Sequence, residues 1–270
     1  PAITPHYTLP QYSPYQWVKK HGIPEAYKSS HFAPATVRKI QDAAGQELAT
    51  HTFSHFYCLE LQDHPLAFEA DLQAAKLAAH HFNNVPRSMV FPRNQYNSQY
   101  LKRCYEQGIT AVRTNPSATF WRPVTNKGAG IFRKLIRTAD AYVQVSRQRS
   151  SYPLSEIVCK PGEPLQLKAS RFLRPWNTKY PFVHHWLLQR ICREMKIAAA
   201  LGECYHLWWH PENFGDHPKE NMAGLRVLLE QYKQCANRYG MQSWNMAEYA
   251  SNLLTTGGTI TTHQYAGSAG

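Results

Sequence analysis

Long apolar runs are missing from this sequence. Each is broken within about ten residues by His, Gln, Lys or Arg, so no segment approaches the roughly 20 residues that a bilayer-crossing helix needs. Missing too is any C-x-x-C pair. The six cysteines, at 58, 104, 159, 192, 204 and 235, are spread through a chain much longer than a disulfide scaffold, and buried, reduced thiols in a cytoplasmic protein are expected. G-x-G-x-x-G, G-x-x-x-x-G-K-[ST] and G-x-S-x-G do not occur, which removes the usual marks of dinucleotide binding, of a P-loop and of a serine hydrolase. No basic-then-apolar leader opens the chain, which starts Pro1-Ala2-Ile3-Thr4-Pro5. Acidic residues are scarce: 18 Asp+Glu face 30 Lys+Arg, a net charge of +12 with 14 His besides, and such a surplus favours anionic partners such as nucleic acid, a phospholipid surface or an acidic glycan. The cations are scattered, as at Lys19-Lys20, Arg133-Lys134 and Arg171 with Arg174, without a five-to-eight-residue basic block. A solvated basic face is the plainer reading, and a nucleic-acid partner is not expected.

The 270 residues, 43% hydrophobic, fit one large domain. Residues 1–34 hold six prolines with aromatics between them, and read as an ordered segment draped over the surface, neither regular helix nor central strand. Residues 35–254 alternate helix and strand patterns. A short helix at 35–41 and a strand at 46–50 come first; then Phe68, Leu72, Ala75, Ala79 and Phe82 trace one apolar stripe between Pro65 and Pro86. Strands are predicted at 88–91, 109–113 and 204–209, and further helices at 98–107, 131–143, 183–200 and 221–239, with Asn245 to Glu248 resembling a capping box. Residues 144–180 read as a long loop, and 255–270 as a flexible tail. Alternation of this kind argues for a parallel α/β sheet or barrel whose strand ends carry the chemistry.

Three stretches sit at such strand ends. His51-Thr52-Phe53-Ser54-His55 can share one cation if it turns; if extended, its imidazoles lie roughly 13 Å apart, too far for two bonds of about 2 Å. His206 and His210 form a second i, i+4 pair, but Pro211 and the neighbouring aromatics favour a strand, which gives the two rings separate roles: His210 at the strand's mouth, His206 deeper and hydrogen-bonded in the core. Phe91-Pro92-Arg93-Asn94-Gln95 follows another strand; Arg93 can orient a carboxylate or bind substrate, and Asn94 and Gln95 can reach sugar hydroxyls. An ordinary polar loop is the plainer reading of that stretch taken alone.

Together these residues resemble the polysaccharide deacetylase family, also called the NodB-homology or carbohydrate esterase 4 family. His51-Thr52-Phe53-Ser54-His55 resembles its H-[ST]-x-x-H motif, Phe91 to Gln95 a divergent form of its arginine motif, and Leu207-Trp208-Trp209-His210-Pro211 its late strand-plus-His motif. Ser170-Arg171-Phe172-Leu173-Arg174-Pro175 and His210-Pro211-Glu212-Asn213-Phe214-Gly215 are similar to a bacterial subgroup linked to surface-polysaccharide gene clusters.

The resemblance spans about residues 30–250. It implies a distorted (β/α)7 barrel and metal-dependent hydrolysis of acetyl groups, N-acetyl before O-acetyl, on a carbohydrate. It further implies a divalent cation, zinc by preference, held by His51 and His55, with His210 as general acid and Arg93 orienting the base. Asn94, Gln95, Trp209, Asn213 and Arg171 would bind substrate. The family's opening acidic pair has no counterpart upstream of His51, where the carboxylates are Glu25, Asp42 and Glu47. The expectation is therefore a fragment that lacks its first strand and helix, hence the third ligand and the base, and shows little turnover. The rival expectation is a non-catalytic glycan-binding module of the same fold, using Trp121, Trp176, Trp208 and Trp209.

Overall fold

Short aliphatic stretches that follow helix-ending turns become parallel strands. In the computed structural model, which describes residues 1–7, 9–25, 32–60, 65–125, 128, 130–143, 145 and 149–255, β1 (Ser88–Val90) pairs with β2 (Ala111–Thr114) and β2 with β3 (Leu165–Lys168). Both pairings are parallel, with Met89 beside Val112 and Val112 beside Gln166. Thr50 adds one parallel bridge outside β1: its N–H donates to the Ser88 carbonyl, and its own carbonyl accepts from Val90. β4 (Arg171–Phe172) follows β3 almost directly and pairs in parallel with β5 (Leu207–Trp208). The change of partner occurs at two consecutive residues, where Ala169 N–H still donates to Thr114 and Ser170 N–H already donates to His206.

The chain is thus α/β with small parallel sheets, running from Thr50 through β1, β2 and the β3–β4 stretch to β5. Among the described residues no strand covers the outer side of Thr50 or of β5, and the barrel is not closed. The strand predicted at 46–50 is reduced to that single bridge, and the one at 204–209 to β5, with Cys204 instead making an antiparallel bridge to Tyr152.

The apolar stripe between Pro65 and Pro86 is α3 (Pro65–His80), which lays Phe68 and Leu72 against Phe56, Met89, Phe91 and Tyr100 in the first core. α4 (Ser98–Glu106) starts where the Asn97 side chain accepts from the Tyr100 N–H at 3.1 Å, and the chain turns at Gly108, whose φ of 81° suits glycine. α6 (Pro181–Leu201) and α7 (Pro218–Tyr239) enclose a second core of Leu187, Ile191, Met195, Leu228 and Cys235. On the remaining sheet face, α8 (Met246–Thr255) sets Ala250 into a third core with Ala111, Leu165 and Leu167.

Asn245 caps α8 as a capping box would: its side-chain oxygen accepts from the Glu248 N–H at 2.8 Å. Asn245→Ala is expected to cost about 1 kcal/mol. A thermal melt unchanged within half a degree would show that the cap does not matter.

Two expectations fail here. The N-terminal segment contains regular helix, α1 (Pro14–His21), because Pro14 occupies the first turn, where its missing N–H is no loss, and the Ser13 hydroxyl accepts from Gln16. The supposed loop 144–180 contains β3 and β4, whose brevity hid them between Pro161, Pro164 and Pro175. α2 (Pro34–Gln41) and α5 (Ile131–Tyr142) lie where predicted. The six cysteines are free as expected, but Cys159 is exposed and only Cys58, Cys104 and Cys235 are buried. The expected tail at 256–270 lies outside the described residues.

Candidate functional site

The chain turns sharply after Thr50. Thr52 and His55 take left-handed φ values of 67° and 55°, and the Thr52 hydroxyl accepts from the Phe56 N–H at 2.8 Å. Asp71 of α3, with no exposed surface, closes the turn from below. Its carboxylate accepts from the N–H groups of Phe53 (2.7 Å) and Ser54 (3.2 Å) and from the Ser54 hydroxyl. The result brings the His51 and His55 rings to 5.0 Å between centres. Two imidazoles whose nitrogens lie about 2 Å from one tetrahedral ion have ring centres about 5 Å apart, so the spacing suits a shared cation.

The protonation states suit it too. His51 Nδ1 lies 2.7 Å from the Val90 carbonyl, which can only accept, so Nδ1 carries the proton and Nε2 presents its lone pair. Loss of hydration, reinforced by His51 and Arg93, lowers the His55 pKa to about 4, and desolvation lowers that of His51 as well. Both rings are therefore neutral at pH 7 and still open to solvent. Two neutral imidazoles fit a borderline-soft cation such as zinc. The donor set stops there, since among the described residues no group of three or more His, Cys, Asp or Glu side chains is placed to hold a metal.

His210 follows β5 and faces the same opening. Its ring lies 5.5 Å from Trp208 and 5.6 Å from Phe172, its Nδ1 is 3.3 Å from Glu212 Oε1, and its charge is among those that lower the pKa of both His51 and His55. The His51–His55 pair and His210, from two distant parts of the sequence, thus lie near enough for the charge of one to bear on the other. His206, four residues before His210 and just ahead of β5, is held neutral with a pKa of about 4 by burial and by the neighbouring Arg113.

The other predicted residues divide. Arg93 is exposed and sits 5.5 Å over the Tyr57 ring, while Tyr57 in turn packs 5.1 Å from His55. Asn94 reaches the site's floor, where its side-chain oxygen accepts from Arg113 at 3.1 Å. Gln95 does not reach it: 1% exposed, it accepts from the Leu59 N–H and donates to Glu60 and to the Val124 carbonyl, which leaves nothing for a sugar. Trp209 points to the opposite side, stacked on Phe214 against the α6–α7 core, so Trp208 is the tryptophan beside the histidines. Asn213 lies in the turn after His210, its N–H donating to the His210 carbonyl. Arg171 is 7% exposed and is engaged by Glu194 through bonds of 2.7 and 3.0 Å, so it acts as a structural cation.

Sequence reasoning missed Asp71, Arg113 and Asp140. Each carried a signal. Asp71 interrupts the buried stripe of α3 one residue before Leu72, and Arg113 ends the apolar run Ile109 to Val112 at a strand mouth. Asp140 is the acid on the buried side of a basic helix. Comparison with protein-family models and with curated proteins returned no match.

Proposed function

We propose that this chain binds a divalent cation, zinc by its donor chemistry, through His51 and His55, and removes acetyl groups from an N-acetylated sugar or polysaccharide. The proposal includes the barrel plan of the polysaccharide deacetylases as the scaffold of the site. The observation that carries it is the pair of neutral, solvent-open imidazoles 5.0 Å apart, with His210 near enough to influence both.

A bound cation supplies a water of pKa near 7 and polarises the acyl carbonyl. The chain's own residues do the rest. Val90 fixes the tautomer of His51, and Asp71 fixes the turn that aims both rings. His210, beside Glu212, donates a proton to the departing nitrogen, a step that amide cleavage needs because an amine leaves poorly. Trp208 and Phe172 form the apolar wall against which the ring of His210 is held. Among the described residues no carboxylate joins His51 and His55 to serve as general base, so slow turnover is expected.

The same shortfall favours a second reading, a glycan-binding module in which no cation takes part. Metal titration separates the two. Competition against a chromophoric chelator should give one zinc per chain, weakened about 100-fold or more by His51→Ala or His55→Ala, since loss of outer partners alone costs 10–100-fold. His210→Ala should leave zinc affinity nearly unchanged. Zinc uptake that ignores both alanine variants would sink the metal reading.

A further inference from the structure

Beside the histidines the surface opens into two adjoining hollows, of about 60 and about 250 Å³, which share Trp121, Asp140, Ser170 and Arg171. The smaller one extends to Asn94 and Trp208, the floor and wall of the candidate site, and takes in Arg137 and Arg174. Two guanidinium groups that line it lie over aromatic faces, Arg137 5.1 Å from the centre of Trp121 and Arg174 5.6 Å from Tyr142, and Arg113 lies 4.0 Å from Trp208 behind its wall.

The cations in this cleft fall into two classes. Arg171 is neutralised by Glu194, Arg149 by Glu203 and Lys168 by Glu156. Among the described residues Arg137 and Arg174 have no carboxylate partner, and Arg137 is held at the rim by bonds from Nε and Nη2 to the carbonyls of Phe120 and Arg122. The one acid in the smaller hollow, Asp140, already accepts from the Trp121 indole and the Val145 N–H and lies 3.7 Å from Arg171. Moreover, Nε of Arg174, which lines the smaller hollow, is buried without any hydrogen-bond partner. Buried donors of this kind are costly and call for an acceptor. A planar guanidinium fork matches a carboxylate, and a tryptophan face matches the apolar side of a sugar ring.

We propose that this cleft binds a carboxylate-bearing saccharide, with the acid group in the smaller hollow beside Arg137 and Arg174 and the sugar ring in the larger one against Trp121. The assignment rests on the saccharide reading above and adds to it that the sugar is acidic. It also gives the +12 charge of the chain a local use.

Calorimetry with two defined hexasaccharides tests it: hyaluronan, which alternates glucuronate with N-acetylglucosamine, and the neutral N-acetylglucosamine hexamer. Hyaluronan should bind at least tenfold more tightly in low salt, and the difference should shrink as salt rises. Arg174→Gln and Arg137→Gln should each remove most of that preference and leave affinity for the neutral hexamer in place, which also shows that the variants are folded. Glucuronate should compete with hyaluronan where equal acetate does not. Equal affinity for the two hexamers, or a preference untouched by both glutamine variants, overturns the proposal; competition by acetate as strong as by glucuronate overturns its saccharide part. The preference should survive in the His51→Ala/His55→Ala double variant, so failure of the metal reading and failure of this one are separate results.

Discussion

Replacing Arg171 with methionine should lower the stability of the fold by about 3–5 kcal/mol, the usual cost of stranding one partner of a buried ion pair. Glu194 is the partner left behind. It accepts from Arg171 Nε and Nη2, from Arg190 Nε at 2.9 Å and from the Tyr205 hydroxyl at 2.9 Å. Burial raises the pKa of Glu194, and the bonds and charge of Arg171 outweigh that to hold it below the ordinary carboxylate range. Arg171 also donates to the Asp140 carbonyl and so ties the end of α5 to α6. Because Arg190 remains, the lower end of the range is expected. Urea unfolding of the single variant and of Arg171→Met/Arg190→Met/Glu194→Leu decides the matter: the triple variant should recover much of the loss, since it removes both cations together with the carboxylate they share. A single-variant change below about 1 kcal/mol would remove the ion network from any account of what fastens α5.

Acid should destabilise the protein between pH 6.5 and pH 4, with His206 as a principal cause. Its folded pKa, about 4, lies below the value of 6.5 for a free ring, so in that window the unfolded chain takes up a proton that the folded chain refuses. Stability from this group is complete above pH 6.5 and gone by about pH 4, and the difference of two to three pKa steps corresponds to about 3 kcal/mol. The physical cause is burial of the ring, with the Arg113 charge second. His51, His55 and His184 shift in the same direction, so the test is a difference: unfolding free energy at pH 7 and pH 4.5, wild type against His206→Gln. The variant should show a clearly flatter pH dependence. Parallel curves for the two proteins would refute the assignment to His206.

These two expectations also show where the sequence was legible. The long helices were, because α3 repeats its apolar residues at helical spacing and α4, α6 and α7 end at glycines whose positive φ marks the stop. The histidine turn was legible only as a condition: the spacing of His51 and His55 required a turn, but what makes it turn is Asp71, 17 and 18 residues beyond the amides it holds and on the buried side of another helix. Of the strands, β1 and β2 lie where 88–91 and 109–113 were expected, whereas β3 and β4, two to four residues long among prolines, were too short to show alternation. Arg171 entered the expected site through the resemblance carried by Ser170 to Pro175. Its partner Glu194 lies on another helix, and one-dimensional spacing does not pair them. Trp208 and Trp209 had to face opposite ways, but which one faced the histidines depended on the pairing of β5 with β4.

The carboxylate beneath the histidine turn has one further consequence. Since Asp71 gathers the amides of Phe53 and Ser54 by itself, the loop loses its conformational freedom when the protein folds and not when a ligand arrives. The turn is set beforehand, and a cation of the kind proposed would meet a His51 lone pair already fixed by the Val90 carbonyl.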